Sequence, residues 1–293
     1  MSIHSCNLVT RNTRLLIGYG SGIVPQSSLV VDKSALLDFL VVVNNHKDYI
    51  RYLRLIGIIS SSSATIARYI PNEVVYFPNI PICHGFQRMK LGVVSFDHFI
   101  SRLEDWNNSF YIPGRMQKPT KLIFSEETAK HELELAQRAN LQAALVSGII
   151  LRTDLEMIND YELFRDIVSL SYMGDIRMGI AENPMKIDNI VSAQMEQLRE
   201  LYKPFFNDVG LDTTDPSRWV CRKNSEELWN MLPVMFRRKA VQSPNFRTAL
   251  IATLSNINRR ESVYQAIGGL GTAGLSNSAK YLARKVSKRI FSF

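Results

Sequence analysis

Cysteine is scarce and scattered. Cys6, Cys83 and Cys221 are the only ones in 293 residues. Their number is odd, and none forms a C-x-x-C pair. A disulfide framework and a Cys-rich zinc site are therefore both poorly supported, and a reducing compartment fits best. Histidine is sparse too. His4, His46, His84, His98 and His131 show no H-E-x-x-H or other ligand spacing, so they read as surface or packing residues. Long apolar runs are missing. The most apolar stretch, Leu36–Val43, is short and holds Asp38, whereas a membrane-spanning helix needs about 20 apolar residues. The segment Met1–Thr13 is polar and has no hydrophobic centre, unlike a secretory signal. No fixed-period repeat and no low-complexity segment occurs. Any work on lipid is expected from the membrane surface.

What is present is a globular composition: 46% hydrophobic, 21% charged, mean hydropathy -0.06. The length suggests about two domains. Lysine and arginine number 35 against 27 acidic residues, a net charge of +8. That balance favours an acidic partner, whether nucleic acid, nucleotide or anionic lipid, without choosing among them.

Residues 14–125 alternate short apolar runs with Gly, Pro, Asn and Ser. Leu15–Ile17 runs into Gly18-Tyr19-Gly20-Ser21-Gly22. Leu36–Val43 reads as a buried strand, and Glu73–Phe77, Leu91–Val94 and Lys121–Phe124 as further strands. Lys47–Ile59 and the region around His98–Trp106 have helical spacing. Strands and helices are intermixed, an α/β or α+β pattern. From Glu126 to Leu151 runs one long helical pattern rich in Ala, Leu and Glu. Thr153 and Glu156 have the spacing of a capping box for the next helix, and Tyr161–Tyr172 continues the period up to Gly174. Residues 184–250 read as mostly helical, interrupted by Pro204 and Asp212–Ser217. The expected division is 1–125, mixed; 126–275, mainly helical; and a tail, 276–293.

Gly18–Gly22 follows a strand. Glycines let a backbone approach phosphate closely, and a Ser hydroxyl can bond a phosphate oxygen. No Gly-Lys-Ser/Thr follows, so this is not a Walker A loop, and a plain tight turn is the competing reading. Asp38 sharpens the case. A carboxylate inside an apolar strand is costly unless paired, hydrogen-bonded or metal-bound; the plainer alternative is an Asp capping a neighbouring backbone at a strand end. A Gly-Ser turn with an apolar-Asp-apolar strand resembles the DNA polymerase β-type nucleotidyltransferase site, where Gly-Ser holds triphosphate oxygens and strand carboxylates hold magnesium. The usual second carboxylate is absent, because position 40 is Leu. Asp97 is the nearest substitute, or else the N-cap of the following helix; Asp32 is a third carboxylate, in a loop.

Arg115 and Lys118 lie in a Gly-containing loop where they can neutralise phosphate, or stay solvated; Lys90 raises the same question. Asp175 and Arg177 fall at a helix terminus and can simply pair with each other. In Ser276–Phe293, Ala279, Leu282, Val286, Ile290 and Phe293 recur at spacings of 3 and 4, and Lys280, Arg284, Lys285, Lys288 and Arg289 cover the other faces. That pattern suits an interfacial membrane helix or a docked terminal helix.

Together these segments resemble a family: the mitochondrial-type CDP-diacylglycerol synthases, also called the translocator assembly and maintenance proteins. The resemblance rests on Tyr19-Gly20-Ser21-Gly22 with Pro25-Gln26, Leu37-Asp38-Phe39, Lys90-Leu91-Gly92-Val93 and Trp106-Asn107-Asn108. It also rests on Tyr111 with Gly114-Arg115-Met116-Gln117-Lys118-Pro119, on Ser171-Tyr172, Gly174-Asp175 and Arg177-Met178, and on Gly269–Gly274 with the basic tail. Met116 departs from the Leu expected there, and Ile112-Pro113 from a small-residue approach to Gly114. The resemblance implies an α+β fold: a polymerase-β-type nucleotidyltransferase domain, a mainly helical winged-helix-like domain and a C-terminal amphipathic membrane helix. It implies a Mg2+-dependent phosphatidate cytidylyltransferase that joins CTP and phosphatidic acid at an anionic membrane surface, with no nucleic acid. The place would be the matrix face of the mitochondrial inner membrane, or the cytoplasmic membrane face in a bacterium. The implied roles are Gly20, Ser21 and Gly22 on triphosphate oxygens, and Asp38 with Asp97 on the metal. Lys90, Arg115 and Lys118 would neutralise phosphate, and Asp175 and Arg177 would reach in from the second domain. The rivals are a nucleotidyltransferase of the same fold acting on RNA or a small molecule, and a non-enzymatic membrane adaptor.

Overall fold

The structure is a computed structural model that describes residues 7–24, 36–69, 74–81, 88–106, 109–152, 157–178, 183–215, 218–237 and 245–273. The N-terminal half builds β1 (Thr13–Tyr19), β2 (Leu37–Val43), α1 (His46–Leu55), α2 (Ser61–Tyr69), β3 (Val75–Pro81), β4 (Arg88–Ser95), α3 (Phe96–Asp105), α4 (Tyr111–Met116) and β5 (Lys121–Ser125). The five strands form one sheet in the order β3-β4-β2-β1-β5, in which only β2 and β4 are parallel.

Both faces of this sheet are covered, which is why β2 is apolar at almost every position. Phe39, Val41 and Val43 pack with Leu16, Leu91 and Val93 against Tyr49, Ile50 and Leu53 of α1 and Ala64 and Ala67 of α2. Leu40 and Val42 point the other way, with Ile17, Tyr19, Tyr76 and Val94, against α3, α4 and the next helix. The helix expected over Lys47–Ile59 stops earlier, at Leu55, because Gly57 takes φ +74 and turns the chain.

The second half builds α5 (Glu127–Ile150), β6 (Ile158–Asn159), α6 (Asp160–Ser169), α7 (Lys186–Tyr202), β7 (Leu211–Asp215), β8 (Arg218–Cys221), α8 (Ser225–Asn230), α9 (Val234–Arg237) and α10 (Phe246–Ala273). Its core gathers Leu163, Phe164, Val191, Tyr202, Trp229, Phe236, Leu250 and Leu254. α5 has 24 residues, roughly 36 Å of helix. Its first half buries Ala129, Leu133 and Ala136 against the sheet, and its second half, from Leu141 on, lies in the helical core. One helix thus serves both halves.

Two expectations need correction. The helix after α5 begins only at Asp160, and its N-cap is Asn159, whose side chain accepts from the Tyr161 and Glu162 amides; Thr153 and Glu156 lie outside the described residues. The stretch read as mostly helical contains a small antiparallel sheet, β6-β8-β7. Its strand Leu-Asp-Thr-Thr-Asp lacks the alternation that marks a half-buried strand, so only pairing with β8 defines it. Among the described residues no helix is long and apolar enough to cross a membrane. The tail and its five cations, Asp32, Pro25-Gln26 and Asn107-Asn108 lie outside the described residues.

Candidate active site

The chain leaves β1 at Tyr19 and turns at once. Gly20 has φ +74, and its carbonyl accepts from the Ile23 and Val24 amides at 3.1 and 2.8 Å. A Cβ on Gly20 would lie 2.8 Å from Asp38 Oδ2, and one on Gly22 2.5 Å from the Leu36 carbonyl oxygen. These two glycines let the turn lie directly against the start of β2. Ser21 is exposed at its tip.

Sheet register sets the next layer. Tyr19 pairs with Asp38, and Asp38 with Lys90, so the three stand in one row across β1, β2 and β4, on one face. Lys90 Nζ sits 4.0 Å over the Tyr76 ring. Gly92 makes room for that ring, since a Cβ there would be 2.7 Å from it. The Tyr76 hydroxyl lies 3.2 Å from that of Tyr19, and its ring meets Tyr111 edge-on at 5.4 Å. Burial lowers the Lys90 pKa, but Tyr111, Tyr19 and Asp38 outweigh it, and the net shift is upward. Lys90 therefore stays charged at neutral pH.

α4 brings the second group of cations over this face. The Arg115 guanidinium stacks 3.2 Å from the Tyr111 ring centre and donates to the Tyr111 carbonyl at 3.0 Å. Burial alone would raise the Tyr111 phenol; Arg115, Lys90, the bond with Tyr76 and Arg177 bring it below its ordinary value. Lys118 donates to the Gly114 carbonyl and, at 2.9 Å, to Ser171 Oγ at the end of α6. Gly114 permits that seam, because a Cβ there would be 2.6 Å from the Ser171 Cβ. Burial, then the charges of Arg115 and Lys186, push Lys118 down to about 7. Tyr172 lies between Lys118 and Lys186, with the amines 5.6 and 5.3 Å from its ring centre.

α4 is itself held by a buried amide network. Asn140 of α5 accepts from Trp106 Nε1 at 2.9 Å and Gln117 Nε2 at 3.0 Å, and donates to the Pro113 carbonyl at 3.2 Å. Tyr202 of α7 donates to the Gln117 carbonyl at 2.8 Å. These bonds hold α4 in one geometry, with Gln117 Oε1 left without a partner among the described residues.

The candidates therefore separate. Gly20, Ser21, Gly22, Asp38 and Lys90 gather at one end of the sheet; Arg115 of α4 reaches them through Tyr19 and Lys90, and Lys118, two residues beyond α4, adjoins Arg115 and Ser171. Asp175 and Arg177 do pair, at 2.5 to 3.2 Å, in the plainer of the two ways expected; Arg177 is still close enough to act on Tyr111. Asp97 does not join them. It is exposed in the first turn of α3, after the far end of β4, where Ser95 pairs with Val43. Five residues of strand, about 17 Å, separate that pair from Asp38. Asp97 is thus no partner for Asp38 at a metal, and Ser95, not Asp97, holds the N-cap position. Among the described residues no cluster of three or more His, Cys, Asp or Glu could hold a metal.

Sequence reading missed Tyr76 and Lys186. Tyr76 lies in an expected strand, but only the register and the gap at Gly92 show that it faces the cations. Lys186 opens a helix and carries no local signal.

The family described as "Phosphatidate cytidylyltransferase, mitochondrial" matches this chain over residues 6–228. Curated relatives carry the same description. The Schizosaccharomyces pombe protein is 26% identical over 94% of this chain and 80% of its own length. The Bos taurus protein is 26% identical over 94% and 90%, and the Dictyostelium discoideum protein 34% over 61% and 40%. The family match takes in β1, β2, β4, α4 and the Ser171–Arg177 loop, every segment that builds the cluster. The chain belongs to the mitochondrial phosphatidate cytidylyltransferase family.

Proposed function

We propose that this chain transfers the cytidylyl group of CTP to phosphatidate. A phosphate oxygen of phosphatidate bonds to the α-phosphorus of CTP while the bond from that phosphorus to the bridging oxygen breaks. CDP-diacylglycerol and pyrophosphate result, so the enzyme is a transferase of phospholipid synthesis. The observation that carries this reading is the placement of Asp38 beside the Gly20 turn, in one row with Lys90 and faced by Arg115, with Lys118 next to Arg115.

Both reactants are anions, so bringing them together is the central difficulty, and fixed cations in a water-poor site meet it. Gly20 and Ser21 offer backbone amides and a hydroxyl to triphosphate oxygens. Lys90 and Arg115 supply permanent positive charge across the site, and Lys118 gains charge as an anion approaches. Arg177, held by Asp175, lies on the side of the second half and suits the lipid phosphate. No general base is needed, because the attacking phosphate is already anionic at neutral pH. Asp38 is a hard oxygen donor, and Mg2+ is commonly held by one or two carboxylates plus substrate phosphates; bound there, the ion would neutralise charge on the departing pyrophosphate.

The five-stranded half is our polymerase-β-type nucleotidyltransferase domain, 1–125, and the helical half with its small sheet our winged-helix-like domain, 126–275. The basic amphipathic tail, 276–293, is proposed to hold the enzyme on the matrix face of the inner mitochondrial membrane. Labelled CTP with phosphatidate-containing vesicles, with and without Mg2+, tests the reading. Labelled CDP-diacylglycerol formed only with Mg2+ is expected. Transfer to RNA or a small molecule instead, or no turnover at all, overturns it.

A further inference from the structure

α10 carries buried polar side chains in the middle of an apolar face. Leu250, Leu254 and Ile257 lie in the helical core, yet Asn258 and Ser262 are buried beside them. Such groups are costly unless hydrogen-bonded, and here their partners lie in the segment that leads to Arg177. Asn258 Nδ2 donates to the Leu170 and Met173 carbonyls at 2.8 and 2.9 Å. The Ile176 amide donates to Ser262 Oγ at 3.3 Å. Gly174, with φ +75, leaves no room for a Cβ against the Ser255 backbone. α10 thus grips the loop that holds Ser171, Asp175 and Arg177.

The same helix also reaches the other side of the site. Glu261, one turn beyond Asn258, accepts the Ser109 hydroxyl at 2.6 Å on one carboxylate oxygen and the Phe110 amide at 3.0 Å on the other. Phe110 is the N-cap residue of α4 and has no side-chain acceptor of its own. A helix start leaves its amides without partners and favours negative charge nearby. Glu261 supplies both the acceptor and the charge from a different helix. One turn of α10 thereby ties down the start of α4, which carries Arg115 and leads into Lys118, and the loop carrying Lys118's partner Ser171.

We propose that Glu261 is a positioning residue that aligns α4, and through it Lys118, with the Ser171 seam. The proposal rests on the reading of Lys118 as a site cation. Two measurements on the full chain test it. The first is a kinetic cycle of wild type, Glu261→Gln, Lys118→Ala and the double variant, with CTP and phosphatidate vesicles. Misalignment of a positioned group costs on the order of 100-fold. Glu261→Gln is therefore expected to lower kcat about 10- to 100-fold, and to cost several-fold less once Lys118 is gone, the remainder falling on Arg115 of the same helix. The second is labelling of Lys118 by an amine-reactive ester against pH, read by mass spectrometry, which needs no turnover. Removing a negative charge by electrostatics alone would lower the midpoint, whereas loosening α4 would return it from about 7 toward the ordinary lysine value. An upward shift is expected. Where Glu261→Gln fails to fold, Ser109→Ala, which keeps the carboxylate on the Phe110 amide, is read in the same two ways. Unchanged kcat, a full penalty persisting in the Lys118→Ala background, or a midpoint that stays or falls overturns the proposal. Wild-type activity in Lys118→Ala alone overturns the site reading as well, which separates the two failures.

Discussion

Gly20 and Asp38 occupy adjoining space so closely that a Cβ on Gly20 would lie 2.8 Å from Asp38 Oδ2. Gly20 also holds φ +74, a conformation that costs an L-residue about 1–2 kcal/mol. Gly20→Ala therefore meets two penalties, one in the backbone and one against the carboxylate. The expected outcome is a Tm lower by about 2–8 °C and a severe loss of CTP turnover, checked by calorimetry and the vesicle assay. Gly57 has the same φ, but nothing lies within 4 Å of a Cβ there. Gly57→Ala is the control: it should lose the backbone share of the stability alone and keep activity.

Asp38→Asn preserves volume and much of the hydrogen bonding while removing charge. Turnover is expected to fall about 100-fold or more, since losing the proposed metal ligand would forfeit several kcal/mol. Raising Mg2+ should not restore it, and the Tm should stay near that of the wild type. Kinetics across a Mg2+ titration check this. Near-normal turnover would remove Asp38 from the chemistry, and an unfolded variant would make it structural.

Asp38 and Asp97 show how far the sequence carries this reading. Asp38 was legible because a carboxylate in an apolar strand is unusual, and the strand itself was legible because both its faces are buried. Asp97 follows another expected strand, so it offered itself as the nearest second carboxylate, or else as a helix N-cap. The end of the sheet at which each carboxylate lies depends on the register of β2 with β4, which no local pattern encodes. The same holds for Tyr76, Lys186 and Glu261, whose roles come from contacts between distant segments. The hairpin of β7 and β8 escaped notice because its polar first strand is defined by pairing alone.

Gly114 tests the seam between the two halves. In an isolated helix, Gly→Ala gains about 1 kcal/mol. Here the new Cβ would lie 2.6 Å from the Ser171 Cβ and 3.1 Å from the Phe110 ring. Gly114→Ala is therefore expected to lower the Tm and to cut turnover by displacing Lys118. Adding Ser171→Gly removes the worst clash but also the hydroxyl that Lys118 uses. The pair should recover much of the Tm and little of the activity, measured side by side. Full recovery of turnover would show that the Lys118–Ser171 bond is dispensable.

Lys118 makes the last prediction, a dependence on pH. Its folded pKa is about 7, because burial disfavours the charged form and Arg115 and Lys186 add repulsion, whereas the unfolded chain titrates near 10.4. Between those values the unfolded state binds more protons, so this residue makes stability rise with pH from about 7 until the tyrosines begin to ionise. Lys118→Met keeps the length and removes the charge, and it should flatten that rise in urea melts taken at pH 7 to 9. Ligand binding should show the opposite face of the same shift. An anionic phosphate beside the amine favours its charged form, so CTP or phosphatidate vesicles should draw in up to one proton at pH 8. Calorimetry in two buffers of different ionisation enthalpy reads that uptake directly. Equal uptake by wild type and Lys118→Met would mean that the proton goes to the ligand and that Lys118 lies outside the phosphate site.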